Sequence, residues 1–460
     1  MTIKKHIKQA HKVRNEGLLT KIMSLGFPVA IQSALVAILS LADVLMVSDF
    51  GQEATASVGI ASKWHFIATM IIAGMASANG ILVAQYWGKN DQCSAKTISM
   101  LAITNGIKIL IPVTLAITLY STFIMKLQTN DPKVIELGAT YLWYSFPVLL
   151  LTHLVMVYES ALRSSGDTVT PLCFGTVTIF FNIGLNFLLI KGGLGIPAMG
   201  VAGAALATTL SRLLQVILMS VFLYRRKHWL FFTSVLEDST QLWKSYKKIA
   251  IPTTLSALTW ASGVMAYQVI FGHLGTTELA VYSMIGPFES LCYSLFFGVS
   301  VACSVLLGQS LGRDQFIDAQ NISKFFIKIV IMLGIFTGLM LILTKEIVLS
   351  WLNLNTNEFY PLASPALLIL SCSIWLRMLN TVIINGILKA GGDNHFCLRM
   401  DFISSWLVGV PITAYAAFIL KWDFHYVYML MLSESIVKLL LCSHRYLKHH
   451  WMKNLTLSTI

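Results

Sequence analysis

Long apolar stretches recur along the whole chain and are separated by short polar segments. Each stretch is long enough to cross a hydrocarbon core of about 30 Å as a helix. We predict twelve such spans, which we number in chain order: 20–48, 58–87, 97–125, 136–162, 171–191, 199–224, 249–272, 279–310, 325–344, 362–388, 400–420 and 425–442. The pattern therefore predicts an all-α polytopic membrane protein.

The second half of the chain repeats the first half. The segment 28–99 aligns with 252–323 without a gap, which defines a first offset, and a slightly larger second offset aligns the loop 162–167 with 388–393. The matching pairs include Pro28 and Pro252, Gly74 and Gly298, Gln85 and Gln309, Gly88 and Gly312, Gly166 and Gly392, and Arg212 and Lys438. Each half holds six spans, so both halves run in the same direction. We therefore predict two six-helix lobes related by a pseudo-two-fold axis along the membrane normal.

The repeat divides the chain into five segments. They are a basic cytoplasmic N-terminal segment (1–17), an N-lobe with spans 1–6 (18–226), a cytoplasmic linker (227–247), a C-lobe with spans 7–12 (248–447) and a cytoplasmic tail (448–460). A polar linker between two lobes suits a molecule in which the lobes rock about a central cleft. Since no small-residue cleavage site follows the basic N-terminal segment, we expect span 1 to be retained.

Composition and charge agree with this picture. Of the 460 residues, 56% are hydrophobic and 12% are charged, whereas about a quarter are charged in soluble domains. The net charge is +12. If the N-terminus is inside, 22 Lys and Arg residues fall on cytoplasmic segments and six on outer segments. This asymmetry predicts that both termini are cytoplasmic, and it explains the basic charge without a nucleic-acid partner.

One carboxylate interrupts span 1. Asp43 lies about six residues from the predicted outer end of the span. An ionisable group at this depth is costly, so it indicates a functional site by default. The repeat partner of Asp43 is Tyr267, so the C-lobe has no carboxylate at this position. Because an apolar cavity disfavours the charged form of a carboxylate, we expect Asp43 to bind a proton from outside and to release it inside.

Several motifs together resemble the multidrug and toxic compound extrusion (MATE) family, in its bacterial NorM/DinF-like branch. They are Pro28, Asp43-Val44 before Gly51, the loop Trp-Gly-Lys-Asn-Asp (87–91), the loop Leu-Arg-Ser-Ser-Gly-Asp-Thr-Val-Thr-Pro (162–171) and the run Gly-Val-Ala-Gly-Ala-Ala-Leu-Ala-Thr (200–208). The resemblance covers essentially the whole chain. It implies alternating-access export of lipophilic, often cationic, drugs across the bacterial inner membrane, driven by inward flow of protons or sodium. It also implies antibiotic resistance, contact with membrane lipids, a monomer and no cofactor.

The resemblance also places a group of polar side chains beside Asp43. Asn182 and Asn186 lie four residues apart, on one face of span 5, and Thr208 lies in span 6. The resemblance implies that these three side chains and Asp43 form the proton- or cation-coupling site. Family members often have Asp where Asn186 stands, so Asp43 has fewer acidic neighbours here. The repeat partners of the two asparagines are apolar, Val408 and Ile412.

The coupling ion is the next question. Sodium-coupled relatives have acidic residues in spans 7 and 10, where this chain has Trp260 and, beside Arg377, Met378. An aromatic ring and a neighbouring cation are poor ligands for a hard cation, which prefers several oxygens. We therefore predict proton coupling and no metal site. Sodium coupling is the alternative, because Na⁺ could also use Asp43 and its polar neighbours.

Other charged residues within the spans fall into pairs. Arg377 needs a partner, and Glu289 in span 8 is the candidate for a structural ion pair or, second, for a role in coupling or cation attraction. With Tyr267, these two are secondary site candidates in the C-lobe. Two further pairs, each spaced four residues apart, are predicted to be structural: Glu159 with Arg163, and Glu434 with Lys438.

Two other classes of function are less consistent with the sequence. A flippase for lipid-linked precursors would need a strongly cationic cavity for pyrophosphate, whereas the intramembrane candidates here are mainly carboxylates and amides, with Arg377 the main exception. A membrane-embedded enzyme has no zinc spacing, Ser/His pairing or phosphate loop to support it. We therefore predict a transporter and not an enzyme.

Overall fold

The computed structural model describes residues 2–48, 50–193, 195, 197–231, 239–352 and 354–457, with their side chains except at 2–16, 41, 44, 45 and 48. All twelve predicted spans lie in helices, and no β-strand occurs within these ranges. Eleven helices are long and apolar enough to cross a membrane, and a bent pair of helices supplies a twelfth span. The predicted all-α membrane fold is confirmed.

Some spans are single helices and others are interrupted. In chain order the helices of the twelve spans are Thr2–Ser48; Gln52–Gly88; Gln92–Leu119; Pro132–Tyr144 with Val148–Ser165; Val169–Lys191; Gly200–Arg225; Thr240–Leu274; Thr276–Gly312; Phe316–Leu343; Tyr360–Thr381 with Val382–Leu388; Asn394–Phe402 with Ile403–Gly409 and Val410–Phe418; and Phe424–Leu430 with Ser433–Leu447. The two parts of span 4 are bent by 48°. Val382–Leu388 and Ile403–Gly409 are π-helical. Short helices, Ser121–Lys126 and Lys345–Trp351, follow spans 3 and 9 at matching places in the repeat.

The helix boundaries bear on the five predicted segments. The backbone of the N-terminal segment is helical and continuous with span 1. Span 7 begins at Thr240, so the last part of the predicted linker belongs to a helix, while residues 232–238 of the linker lie outside the described residues. We call the end of the bundle at which Arg225 and Thr240 connect the lobes the linker side. The exact segment boundaries stay a prediction.

Polar backbone groups inside the bundle find partners within the protein. Pro28 lacks an N–H group, so it leaves the carbonyl four residues earlier without its helical hydrogen bond. That carbonyl belongs to Ser24, and it accepts a hydrogen bond from Thr168 Oγ1 at 3.0 Å. Thr168 follows Gly166, whose φ of 101° ends span 4 in the left-handed region that glycine favours. The loop after span 4 is therefore hydrogen-bonded to span 1 at the helical turn that Pro28 interrupts.

Helix packing repeats with the sequence. In the N-lobe, span 1 packs on span 5 and span 2 on span 4. In the C-lobe, the corresponding spans 7 and 11, and 8 and 10, pack on each other. Between the lobes, span 1 packs on span 8 and span 2 packs on span 7. The structure therefore has the predicted two lobes in a pseudo-two-fold arrangement.

Symmetry-related glycines allow the lobes to approach closely. A Cβ atom at Gly74 would overlap the backbone of Thr254, and one at Gly298 would overlap that of Ala30. These two contacts are partners at the first offset of the repeat. At the linker side the same relation holds for Gly88 against Gln309 and Gly312 against Gln85. Only glycine leaves room for such backbone contacts.

Hydrogen bonds also close the linker side. Gln85 Nε2 donates to Ala390 O at 2.9 Å, and its repeat partner Gln309 donates from Nε2 to Ser164 O at 3.0 Å. Ala390 and Ser164 are partners at the second offset of the repeat. A glutamine of each lobe thus donates a hydrogen bond to a backbone carbonyl at the end of span 4 or span 10 in the other lobe.

The segment after span 12 covers this contact between the lobes. Trp451 is fully buried and stacks on Tyr446 of the C-lobe. On the N-lobe, Gln85 Oε1 accepts a hydrogen bond from Leu455 N at 2.6 Å, and Gln85 Nε2 donates to Lys453 O at 3.3 Å. Because Asn454 Nδ2 also donates to Asp314 Oδ1 of the C-lobe at 2.8 Å, the tail forms hydrogen bonds with both lobes.

Large apolar side chains cover much of the outside of the bundle. Phe180, Phe187, Leu343 and Ile347 each expose 60% or more of their surface. Such exposure is costly in water and favourable against lipid tails, because the hydrophobic effect drives these groups out of water. The surface therefore agrees with a multi-pass membrane protein.

We predict that Gly312→Ala opens the linker side, because the new methyl group would overlap Gln85. Overpacking of this kind costs about 1–3 kcal/mol, and about 1.4 kcal/mol corresponds to a tenfold change in an equilibrium. A cysteine placed at Ser164, in a background without the seven native cysteines, should then react with a maleimide roughly tenfold faster. Gly59→Ala is the matched control, since Gly59 has open space around it. Equal labelling rates in the two variants would contradict the role of Gly312 in closure.

Candidate functional site

Span 1 brings Asp43 against span 5 of the N-lobe. Asp43 lies five residues before the end of the helix Thr2–Ser48, in the half of the bundle that is opposite the linker side. Its side chain is partly buried. Because span 1 packs along span 5, the carboxylate reaches the amide pair on that helix.

The two asparagines and Asp43 form one hydrogen-bonded group. Asn186 Nδ2 donates to Asp43 Oδ1 at 2.5 Å and to Asn182 Oδ1 at 3.1 Å, so both amide hydrogens are used. Asn182 and Asn186 are almost completely buried. Asn186 Oδ1 is buried and has no hydrogen-bond partner among the described residues. The amide of Asn186, which contacts the Asp43 carboxylate, therefore carries an oxygen to which no described group donates a hydrogen bond.

No described cation lies within 4.0 Å of the Asp43 carboxylate. Arg212 in span 6 acts on Asp43 electrostatically from a longer distance, and its Nη1 donates to Gln215 Oε1 at 2.9 Å. Thr208, which was predicted in the same group, donates from Oγ1 to Ala204 O of its own helix at 3.1 Å. The structure therefore brings Asp43, Asn186 and Asn182 together, and it directs the Thr208 hydroxyl elsewhere.

A second carboxylate of the N-lobe is surrounded by donors. Glu159 Oε1 accepts hydrogen bonds from Gln32 Nε2 at 2.8 Å and Gln215 Nε2 at 3.2 Å, and Oε2 accepts one from Arg163 at 2.6 Å. The predicted contact between Glu159 and Arg163 is present. Since its charge is paired and both oxygens are occupied, Glu159 contrasts with Asp43.

The C-lobe holds the predicted pair of Glu289 and Arg377. The two side chains are in direct contact and are 18% and 15% exposed, so they neutralise each other inside the lobe. Met378, next to Arg377, is fully buried in the hydrophobic core of the lobe. Trp260 presents an indole ring 6.4 Å from that of Phe66. Neither Met378 nor Trp260 has a side-chain oxygen that could bind sodium.

Tyr267 belongs to a different network in the C-lobe. Its hydroxyl donates to Glu434 Oε2 at 2.7 Å. Lys438 Nζ lies 3.2 Å from Glu434 Oε1 and 3.0 Å from Asp401 Oδ1, and Ser256 Oγ donates to the other oxygen of Asp401. Asp401 lies one residue after the predicted start of span 11 and was not among the predicted site residues. The signal that could have revealed it is an acidic residue inside a predicted span.

The chain matches a known family over most of its length. The MatE family model matches residues 28–188 and 252–415, two stretches that begin at Pro28 and at its repeat partner Pro252. The probable multidrug resistance protein YoeA of Bacillus subtilis is 25% identical over 373 residues, or 79% of each chain. The probable multidrug resistance protein NorM of Thermotoga maritima is 22% identical over 397 residues, covering 85% of this chain and 84% of that protein.

Solved structures share the fold. A mutant of the Vibrio cholerae MATE transporter VcmN gives a TM-score of 0.87 at 16% identity, covering 96% of this chain and 98% of that one. A multidrug resistance MATE family transporter in an outward-facing conformation gives a TM-score of 0.85 at 18% identity, covering 94% and 96%. The predicted two-lobe fold and family resemblance are confirmed. The chain belongs to the MatE family, whose members are transporters and not enzymes.

Proposed function

We propose that the chain is a secondary active multidrug efflux antiporter that exports lipophilic, cationic compounds in exchange for protons. Family membership supports transport, and the relatives named as multidrug resistance proteins support drugs as the cargo. One observation supports the proton as the coupling ion. Asp43 forms a hydrogen bond with a neutral amide and has no described cation within 4.0 Å. A carboxylate without a counter-charge at this depth gains most from binding a proton.

The amide of Asn186 suits both forms of Asp43. In the charged form the carboxylate accepts a hydrogen bond from Asn186 Nδ2, as the structure has it. In the protonated form, the new O–H group can donate to Asn186 Oδ1, which otherwise has no described partner. The same two side chains can therefore hold the group before and after it takes up a proton.

Protonation changes which packing of span 1 is favoured. A neutral Asp43 can lie against apolar neighbours at a lower cost than a charged one. Pro28 interrupts the helical hydrogen bonds of the same span, so it provides a place at which the helix can bend. We propose that protonation shifts the population between two packings of the N-lobe and thereby releases the drug outward.

The contacts between the lobes suggest which state is present. The lobes meet at the linker side through glycine contacts and glutamine hydrogen bonds. We propose that this side faces the cytoplasm, because most Lys and Arg residues lie there. In that orientation the structure is closed towards the cytoplasm, and Asp43 lies in the outer half of the membrane.

The orientation can be tested with Cys93, which is exposed next to the loop after span 2. With Cys93 as the sole cysteine, a membrane-impermeant maleimide should label inside-out vesicles and leave intact cells unlabelled. Gln128→Cys, exposed at the other end of the bundle, should show the reverse pattern. Labelling of Cys93 in intact cells would contradict a cytoplasmic linker side.

We predict that Asp43→Asn abolishes proton-driven export, because asparagine cannot take up the proton. The measurement is efflux of ethidium from proteoliposomes under an imposed pH gradient, with monodispersity on size exclusion as the test of folding. Asp131→Asn is the matched control. Asp131 is an exposed helix cap, and asparagine caps helices about as well. Full export by folded Asp43→Asn protein would refute the coupling role.

The same proteoliposomes separate the two coupling ions. A sodium gradient without a pH gradient should drive no export by the wild type, since neither Trp260 nor Met378 supplies an oxygen ligand. Sodium-driven export that Asp43→Asn abolishes would instead support the alternative of sodium coupling at the same residue.

We expect the two asparagines to differ in importance. Asn186→Leu removes the hydrogen bond to Asp43, whereas Asn182→Leu removes only the contact behind it. Intramembrane hydrogen bonds average about 0.6 kcal/mol, so both variants should fold. The pH at which export is half-maximal should therefore shift more in Asn186→Leu than in Asn182→Leu. Equal shifts, or no shift in either variant, would contradict a direct role of Asn186.

A further inference from the structure

The repeat relates the C-lobe network of Tyr267, Glu434, Lys438 and Asp401 to equivalent positions in the N-lobe. The two offsets of the repeat pair side chains that surround equivalent points in the two lobes. The pairs are Asp43 with Tyr267, Thr208 with Glu434, Arg212 with Lys438, Gly175 with Asp401, and Gln32 with Ser256. The local contacts agree, since Gln32 adjoins Gly175 as Ser256 adjoins Asp401. Tyr267, the counterpart of Asp43, donates a hydrogen bond to Glu434, so the C-lobe has a carboxylate beside the place that corresponds to Asp43. Asp401 lies at the counterpart of Gly175, which adjoins Gln32 in the N-lobe.

The two sites differ in what neutralises the carboxylates. In the C-lobe, Lys438 Nζ lies between Asp401 at 3.0 Å and Glu434 at 3.2 Å. The remaining carboxylate oxygens accept hydrogen bonds from Ser256 and Tyr267. Every oxygen of the two carboxylates is thus engaged, and the charge of Lys389 acts on Asp401 in addition. In the N-lobe, the equivalent cation, Arg212, bonds to Gln215 instead.

We propose that Lys438 is a built-in monovalent cation that fills the C-lobe counterpart of the coupling site. The ammonium group takes the place that a coupling cation from solution would take, so the C-lobe does not exchange an ion during transport. This inference rests on the proposed function, and it restricts coupling to the N-lobe. It also makes Lys438 a determinant of ion specificity.

The surroundings of Lys438 support this role. The side chains of Asp401, Lys438 and Glu434 are only 9%, 11% and 13% exposed. Ion groups buried this deeply need their counter-charge, because removing one partner leaves an uncompensated charge in a low-dielectric interior. The π-helical segment Ile403–Gly409 begins two residues after Asp401, and such segments are frequent at functional sites. Two carboxylates and two hydroxyls would remain as oxygen ligands if the ammonium group were absent.

Removal of the ammonium group tests the proposal. Lys438→Met keeps an unbranched side chain that lacks the terminal ammonium group, and it leaves two buried carboxylates without their cation. We expect the purified variant to bind radioactive sodium saturably at alkaline pH, where protons do not fill the site. Its affinity should exceed that of the wild type by at least about tenfold. Lys438→Arg, which keeps the charge, should bind no sodium.

Lys133→Met is the matched control, since Lys133 forms an exposed ion pair with Glu53. Solvent already hydrates that carboxylate, so no sodium site should appear. Adding Glu434→Gln to Lys438→Met should abolish the acquired binding. Folded Lys438→Met protein that binds no sodium, or that binds no more than Lys133→Met, would overturn the proposal.

A second variant covers the case in which Lys438→Met does not fold. Glu434→Gln leaves Lys438 paired with Asp401, so proton-driven ethidium efflux should stay within about twofold of the wild type, a difference well below 1 kcal/mol. Loss of that efflux in folded Glu434→Gln protein would show that the C-lobe carboxylate couples transport, and would overturn the inference. The proposed function fails separately, through Asp43→Asn protein that retains export. Each idea can therefore be rejected while the other stands.

Discussion

Within a hydrocarbon layer a polar group must find its partner in the protein, since no water is there to supply one. This constraint accounts for the all-helical spans, for the hydrogen bond from Thr168 to the carbonyl that Pro28 leaves free, and for the paired charges in both lobes. Arg163, Arg377 and Lys438 each contact a carboxylate. Against this background Asp43 is conspicuous, because its described partner is a neutral amide. The proposed proton coupling at Asp43 rests on this difference from the other intramembrane carboxylates.

The repeat explains how two similar lobes can have different tasks. Backbone contacts recur in the two halves, as the glycines at 74 and 298 and the glutamines at 85 and 309 demonstrate. Most polar side chains of the two sites do not recur, although Arg212 and Lys438 are partners in the repeat. The asparagine pair of span 5 is replaced by Val408 and Ile412. The N-lobe has Asp43 in span 1, whereas the C-lobe network has Asp401 in span 11 and Glu434 in span 12. The contacts that hold the lobes together are thus shared by the two halves, while the polar groups of the two interiors differ.

The sequence predicted the spans, the two lobes and the ion pairs at Glu159 and Glu289, because apolar length, the constant offset and unpaired charges are local or periodic signals. It did not predict the break in span 4 or the π-helical segments, which depend on packing. Thr208 was placed near Asp43 by family resemblance, yet its hydroxyl bonds within its own helix, a choice of side-chain conformation that no sequence pattern encodes. Asp401 was overlooked because its repeat partner is a glycine, so the repeat offered no acidic match.

The unpaired carboxylate in one lobe also has an electrical consequence. If one proton enters for each drug that leaves, export of a monovalent cation moves no net charge, whereas export of an uncharged compound moves one charge inward. One elementary charge is worth about 2.3 kcal/mol per 100 mV of membrane potential. The membrane potential would then drive the export of uncharged compounds, while the export of monovalent cations would be driven by the pH difference alone.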